Sequence, residues 1–304
     1  MQGMVMDKKR QTVIFFFVGI AVMMVGLVWI ISQNNTAVVH EKPTVVVSTF
    51  ALYEVASRVG GDAVEVHSIV PLGSDAHLFS PNPTDVVKIS HADLFIYNGG
   101  GFERWVEPLK QALPTTMNVV DMSTKVKLLG NDPHYWLDVD NMIRMTQTVD
   151  KECSILRPAQ SAFFHRNAQN YIAQLQQLKQ SYAQGLSACK NRVLVTNHDA
   201  FGYLAHANGL ENITIIGLSS DEQPSSATIA HVIELVKTRH IKTIFFEELI
   251  SDHVAQTIAQ ESGAGVQSLQ PLENISEDAL KSHQTYLSLM GENLTKIREA
   301  MECR

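Results

Sequence analysis

The sequence predicts an α/β fold of two βα lobes with mainly parallel sheets, bridged by one long α-helix. Three observations carry this reading. From residue 44 to residue 120, short runs mostly rich in β-branched residues alternate with helical patterns, the order that builds a parallel sheet. From Pro158 to Leu186 there is no internal Pro and no Gly before Gly185, and one helical period replaces the alternation. Beyond residue 193 the strand and helix patterns resume.

The elements follow in chain order. Lys8, Lys9 and Arg10 precede an uncharged, almost wholly apolar run of twenty residues, 13–32. At ~1.5 Å per residue that run spans ~30 Å, the thickness of a bilayer core. Secretory h-regions are usually only ~7–15 residues long, so the run reads as a retained membrane anchor unless it is cleaved as a signal. The basic flank then stays cytoplasmic and everything after Ser32 lies outside the membrane. No Cys closely follows the run, which excludes the attachment point of a bacterial lipoprotein. Residues 33–42 are polar and pattern-free, a tether.

The first lobe, 43–157, has strand runs at 44–48, 64–70, 94–97 and 117–120, with helical patterns such as 53–59 and 82–90 between them. The bridge is assigned to 158–188. Its Phe163, Tyr171, Leu175, Leu178, Tyr182 and Leu186 fall at helical spacing opposite a Gln-rich face. About thirty residues make it roughly 45 Å long, too long for one small lobe. The second lobe, 189–304, has strand runs at 193–196, 213–217, 243–246 and 266–269. Its helical patterns lie at 201–207, 226–238, 252–262 and 277–302. The halves look alike in architecture, not in sequence.

At 304 residues, 45% apolar and 18% charged, the chain has ordinary globular composition. With a net charge of −7 and no basic block, it lacks the footprint of a nucleic-acid binder. Beyond residue 42, 20 basic and 29 acidic side chains leave a net −9. An acidic field suits a cation, although most acidic proteins bind none.

Of the twelve histidines, His165, His231, His240 and His283 fall on polar helical faces or helix ends. Three others occupy loops of a different kind. His77 follows the strand run that ends at Val70, His198 follows Thr196, and His134 lies in Asp132-Pro133-His134 ahead of a helix beginning near Asp138. Ligands of open α/β sheets bind outside the carboxyl ends of strands. Three neutral imidazoles would fill most of a tetrahedral Zn²⁺ shell. A single loop histidine is more often a surface residue than a ligand, and spacing alone leaves both readings open.

Their neighbours go further. Gly73-Ser74-Asp75-Ala76-His77-Leu78-Phe79-Ser80-Pro81, Asp132-Pro133-His134-Tyr135-Trp136-Leu137-Asp138 and Asn197-His198-Asp199-Ala200-Phe201-Gly202-Tyr203-Leu204 stand in this order. Ile244-Phe245-Phe246-Glu247, Pro271-Leu272-Glu273 and Tyr286-Leu287-Ser288-Leu289-Met290 follow. Together they resemble the zinc/manganese solute-binding proteins of ABC importers, in the zinc-uptake (ZnuA-like) branch, over about residues 43–302. The resemblance implies that the metal lies in the inter-lobe cleft, with His77, His134 and His198 as its ligands. It also implies an ABC permease in the cytoplasmic membrane as the partner, a monomer, and no catalysis. His at the third position is similar to the zinc branch, where manganese binders usually carry Glu; Mn²⁺ and Fe²⁺ stay open.

Two departures stand out. The family often places an Asp ligand just before the final Pro, where this chain has Gln270, so a Gln carbonyl or water is expected to complete the shell. Residues 123–131 contain no His, so the His-rich collecting loop of many zinc-uptake members is missing. Trp136, Phe201 and Tyr203 are read as site walls or core, and Asp132 and Asp138 as partners of His134 or helix caps. Glu247 and Glu248 read as a solvated strand end, with spare oxygen ligands as the alternative.

Other classes remain on the table. Three histidines with an open position also describe a zinc hydrolase, but no HExxH or other base motif is present. A metal-binding adhesin of the same fold and a purely structural metal are further readings. Lastly, three cysteines cannot all pair within one chain. Cys153 and Cys189 flank the long helix, too far apart for a bridge. Cys189 precedes the strand leading to His198, and the last helix should bring Cys303 to the same distal end. A Cys189–Cys303 disulfide is therefore expected, against the alternative of three free thiols.

Overall fold

The computed structural model describes residues 42–218, 222–248 and 252–304. The apolar run at 13–32, with its expected anchoring role, lies outside them. Among the described residues no helix is long and apolar enough to cross a membrane.

In the first half the strands are β1 (Thr44–Val47), β2 (Glu65–Ser68), β3 (Leu94–Tyr97) and β4 (Asn118–Asp121). Helices α1 (Phe50–Gly60), α2 (Pro83–Ser90) and α3 (Val106–Lys110) connect them. Helices α4 (Val139–Leu156) and α5 (Ser161–Gly185) follow. The second half runs β5 (Val193–Thr196), α6 (Gly202–Asn208), β6 (Glu211–Thr214), α7 (Ser226–Thr238) and β7 (Thr243–Glu247). It closes with α8 (His253–Ser262), β8 (Gly265–Leu269), α9 (Glu277–Lys281) and α10 (Tyr286–Ala300).

All pairings within the two sheets are parallel, in the orders β2-β1-β3-β4 and β6-β5-β7-β8. The strand order reverses between β1 and β3 and again between β5 and β7. Each sheet therefore has a crevice at its carboxyl end, where such folds bind ligands.

Local chemistry sets the helix starts. Asn82 accepts from the backbone N–H groups of Thr84 and Asp85, Asp85 accepts from Asn82 N–H, and Pro83 supplies a preset φ. Asp138 caps α4 by accepting from Asp140 N–H at 2.8 Å, so its expected role as a cap is the one observed.

Two helices differ from expectation, and β6 (Glu211–Thr214) lies earlier than the run expected at 213–217. The long helix has 25 residues, about 37 Å, because Pro158–Gln160 forms a separate 3₁₀ turn ahead of it. It still serves both halves: Asn167 donates to Val59 O at 3.0 Å and Tyr182 donates to Met290 O at 2.7 Å. The expected terminal helix is two, α9 and α10. His283 between them adopts a left-handed conformation, φ 55°, and Thr285 opens a new capping box with Ser288.

One continuous core joins the first sheet, α5 and the inner face of the second sheet. A smaller cluster under α7 and α8, including Val195, Val232, Ile244 and Ile258, covers the outer face of the second sheet. After β8 the chain crosses back to the first lobe. Phe50 N–H donates to Glu273 O and Gly73 N–H to Ile275 O, both at 2.9 Å. Asn274 donates to Pro71 O and Ser74 O, and Trp136 Nε1 to Pro271 O at 2.7 Å. Residues 271–275 thus form a belt hydrogen-bonded to the opposite half. Cys189 and Cys303 are joined in a disulfide, and Cys153 is free and buried.

Candidate metal centre

His77 sits in the loop between β2 and α2, where Asp75 accepts from its backbone N–H at 2.9 Å. His134 opens the 3₁₀ turn Tyr135–Leu137 just before α4. His198 lies two residues beyond β5, and Glu273 is carried in by the belt. Four separate loops converge: one donor atom from each of His77, His134, His198 and Glu273 lies within 4.8 Å of the others. All four side chains are nearly or wholly buried.

The spacing tests the fit of an ion. His77 Nε2 and His134 Nε2 are 3.3 Å apart. Glu273 Oε1 is 3.2 Å from the first and 3.1 Å from the second. Tetrahedral bonds of ~2.0–2.1 Å place donors about 3.3 Å from one another. Those three atoms therefore form a triangle of the right size, and the His198 ring approaches with its centroid 5.0 Å from His134 and 5.2 Å from His77. Three nitrogens and one oxygen suit zinc and its neighbours rather than magnesium or calcium, which take oxygen shells.

Carboxylates orient two of the rings. Asp132 Oδ1 lies 2.7 Å from His134 Nδ1 and accepts from its backbone N–H at 2.9 Å. Glu247 Oε1 lies 2.6 Å from His198 Nδ1. The Nε2 atom of His198 stands 3.0 Å from the Leu218 carbonyl. Burial disfavours protonation of His134, but Asp132 and Glu273 outweigh it and raise its pKa. Burial likewise opposes the charge on His198, yet Glu247 drives its pKa up to about 10. For Glu273 burial acts upward, and the His77 and His134 imidazoles hold it well below the usual carboxylate range. His134 and His198 therefore hold a proton more firmly than a free imidazole does, beside an ionised carboxylate.

The structure brings the three expected histidines together and sets a carboxylate beside them. The carboxylate beside them is Glu273, not a donor at position 270. Gln270 ties its backbone to Asn293 at 3.0 and 2.8 Å, and its buried amide has no partner among the described residues. Glu247 is not a solvated strand end, and its Oε1 faces His198 Nδ1. It is 1% exposed, because β7 is an inner strand and its end lies within the cleft. Glu273 was missed, although it too follows a strand end, after β8.

The walls are aromatic. The Trp136 ring lies 5.5 Å from His134. Tyr203 donates to Asp132 O at 3.0 Å and so braces that loop. Phe102, unremarked in the sequence, packs 4.5 Å from His77. It follows Gly99, Gly100 and Gly101, whose φ angles of 72°, 62° and 89° suit residues without a side chain. A cavity of about 250 Å³ bordered by Phe102, Arg104, Asn131 and Glu222 reaches one of the donors, His77. A larger one of about 420 Å³, beside Arg144, Lys179 and Tyr182, touches none of them.

Comparison with known proteins places this geometry. The family model for the periplasmic zinc-uptake complex component A (ZnuA) matches residues 45–300. The zinc-binding lipoprotein AdcA of Streptococcus pneumoniae (strain ATCC BAA-255 / R6) is 32% identical over 294 residues, 90% of this chain; the chain spans 59% of that protein's length. The high-affinity zinc uptake system protein ZnuA of Bacillus subtilis (strain 168) is 29% identical over 281 residues, covering 86% of this chain and 88% of its own. Among solved structures, the Zn(II)-bound ZnuA-like domain of S. pneumoniae AdcA superposes with a TM-score of 0.77 at 33% identity. That match covers 86% of this chain and 100% of the domain.

Proposed function

We propose that this chain, which belongs to the periplasmic zinc-uptake complex component A (ZnuA) family, captures Zn²⁺ through His77, His134, His198 and Glu273 and delivers it to an ABC-type importer. It is an extracytoplasmic solute-binding protein, not an enzyme, and the ion is its cargo. The observation that carries the site assignment is the convergence of four donors from four loops within 4.8 Å.

The chemistry follows from the donor set. Glu273 contributes the negative charge and the three imidazoles bind as neutral nitrogens, so capture releases the protons held on His134 and His198. Two donors come from each half of the chain, and the ion joins the halves. Burial behind Phe102 and Trp136 keeps water from competing, while the cavity beside His77 gives a route in and out. We read residues 13–32 as the membrane anchor, and the partner as a permease in the same membrane. Competition titration with a chromophoric zinc chelator tests the site. One ion per chain, with binding weakened in His77→Ala, His134→Ala, His198→Ala and Glu273→Ala, is the expected result. Wild-type affinity in any of the four removes that residue from the set.

A further inference from the structure

Glu247 stands out among the carboxylates because its place is set by the sheet rather than by a loop. Strands β5 and β7 are parallel neighbours with Thr196 opposite Phe245. His198 and Glu247, each two residues further on, therefore emerge side by side on one face. The result is the 2.6 Å contact between Glu247 Oε1 and His198 Nδ1. Asp132 reaches His134 differently, from two residues away in the same loop and with 13% of its side chain exposed.

A buried carboxylate is costly to keep unless it is paired. Among the described residues the ion-pair partner of Glu247 is His198, and its Oε2 has no hydrogen-bond partner. Glu247 also borders a void of about 10 Å³ shared with Asp75, Pro271 and Glu273, too small for more than a single water. Among the described residues no Lys or Arg joins it in an ion pair, so its polar contact is spent on one ring nitrogen.

We propose that Glu247 is the positioning residue of the metal centre. By accepting the Nδ1–H of His198 it sets the tautomer and the ring angle that leave Nε2, 3.0 Å from the Leu218 carbonyl in this structure, as the nitrogen for the ion. An imidazole without this partner can offer either nitrogen and can turn about its χ2 bond, which blurs the fourth donor position. The proposal rests on the site assigned above.

The test uses the full-length chain with Glu247→Ala, Glu247→Gln and His198→Ala. Zn²⁺ affinity is read by chelator competition, donor geometry from the visible absorption of the Co²⁺-loaded protein, and folding from the thermal midpoint without metal. Glu247→Ala should bind Zn²⁺ about 10–100-fold more weakly and change the Co²⁺ spectrum. Glu247→Gln keeps a carbonyl that accepts the same N–H, and should recover most of the affinity and the spectrum. Lowered midpoints with unchanged affinity and spectrum in both variants mean a purely structural ion pair and overturn the proposal. Failure of Glu247→Gln to improve on Glu247→Ala overturns it as well. If His198→Ala binds like the wild type, the site assignment itself falls; if only Glu247→Ala does, the positioning role alone falls.

Discussion

The two sheets share a strand order and differ in how they are covered. In the first, β3 is buried along its whole length and the core runs unbroken into α4 and α5. In the second, the inner face shares that core, but the outer face rests on a separate cluster of nine buried residues among those described. The edge strands are partly exposed in both sheets. The first lobe is thus held by packing around long helices. The second lacks such depth and relies on two further constraints, the Cys189–Cys303 bridge and the belt of residues 271–275.

Removing the bridge should have the largest effect. It closes a sequence separation of 114 residues, which the chain-entropy model values at about 5 kcal/mol. Cys303→Ser should lower unfolding stability by several kcal/mol, with hydrogen exchange rising in β5–β8 more than in β1–β4. Equal rises in both sheets would erase the contrast.

Core truncation sharpens it. Phe95→Ala in β3 should cost about 3–5 kcal/mol, and Ile258→Ala under the outer face about 2–3 kcal/mol. Chemical denaturation curves measure both, and a larger loss at Ile258 would reverse the ranking.

The donors test whether the lobes contribute alike. His134→Ala and His198→Ala, one from each half, should each weaken Zn²⁺ binding by about 100-fold or more, beyond the range seen for their supporting partners. Isothermal titration showing a loss in only one of them would make the site one-sided.

Protons give a smaller and more gradual effect. An ordinary histidine titrates near ~6.5, so a site of such residues stops gaining affinity above about pH 7.5. Here His134 is raised and His198 reaches about 10. Affinity should therefore keep rising with pH between about 7 and 9. Stability of the ion-free protein has the opposite sign. The contribution of protonated His198 is complete below ~6.5 and is lost as pH rises through about 10. A plateau in affinity above about pH 7.5 would remove the raised imidazoles from the account.

The smallest effect concerns Cys153, whose thiol burial pushes up to about 12. It should resist alkylation in the native protein at about pH 8 and appear as one thiol per chain after denaturation. Rapid native labelling would show that the first core opens there.

Much of this was legible because it is local. Strand runs, the helix free of Pro and early Gly, and three histidines in strand-end loops are patterns within a few residues of each other. The disulfide was legible because parallel strands deliver Cys189 and Cys303 to the same end. Glu273 was not, since its place depends on the chain crossing back to Phe50 and Gly73, bonds between residues about 200 apart in sequence. Glu247 misled for a related reason: whether a strand end is wet depends on which strands flank it, and no local pattern states that β7 lies inside. The break between α9 and α10 hinges on the left-handed turn at His283, a residue that seldom announces one.

The belt has a consequence for how such proteins recombine. A junction at the long helix looks like a natural seam, with one lobe on each side. Yet Glu273 travels with the second half while its backbone is read by Phe50, and its neighbours Asn274 and Pro271 are read by Ser74 and Trp136. A chimaera that takes residues up to 188 from this chain and the remainder from a relative therefore inherits two halves of a handshake. Its donor set will align only if both parents agree at these contacts. Crossovers that keep 43–276 from one parent leave the four donors and the belt intact, so viable hybrids should cluster there.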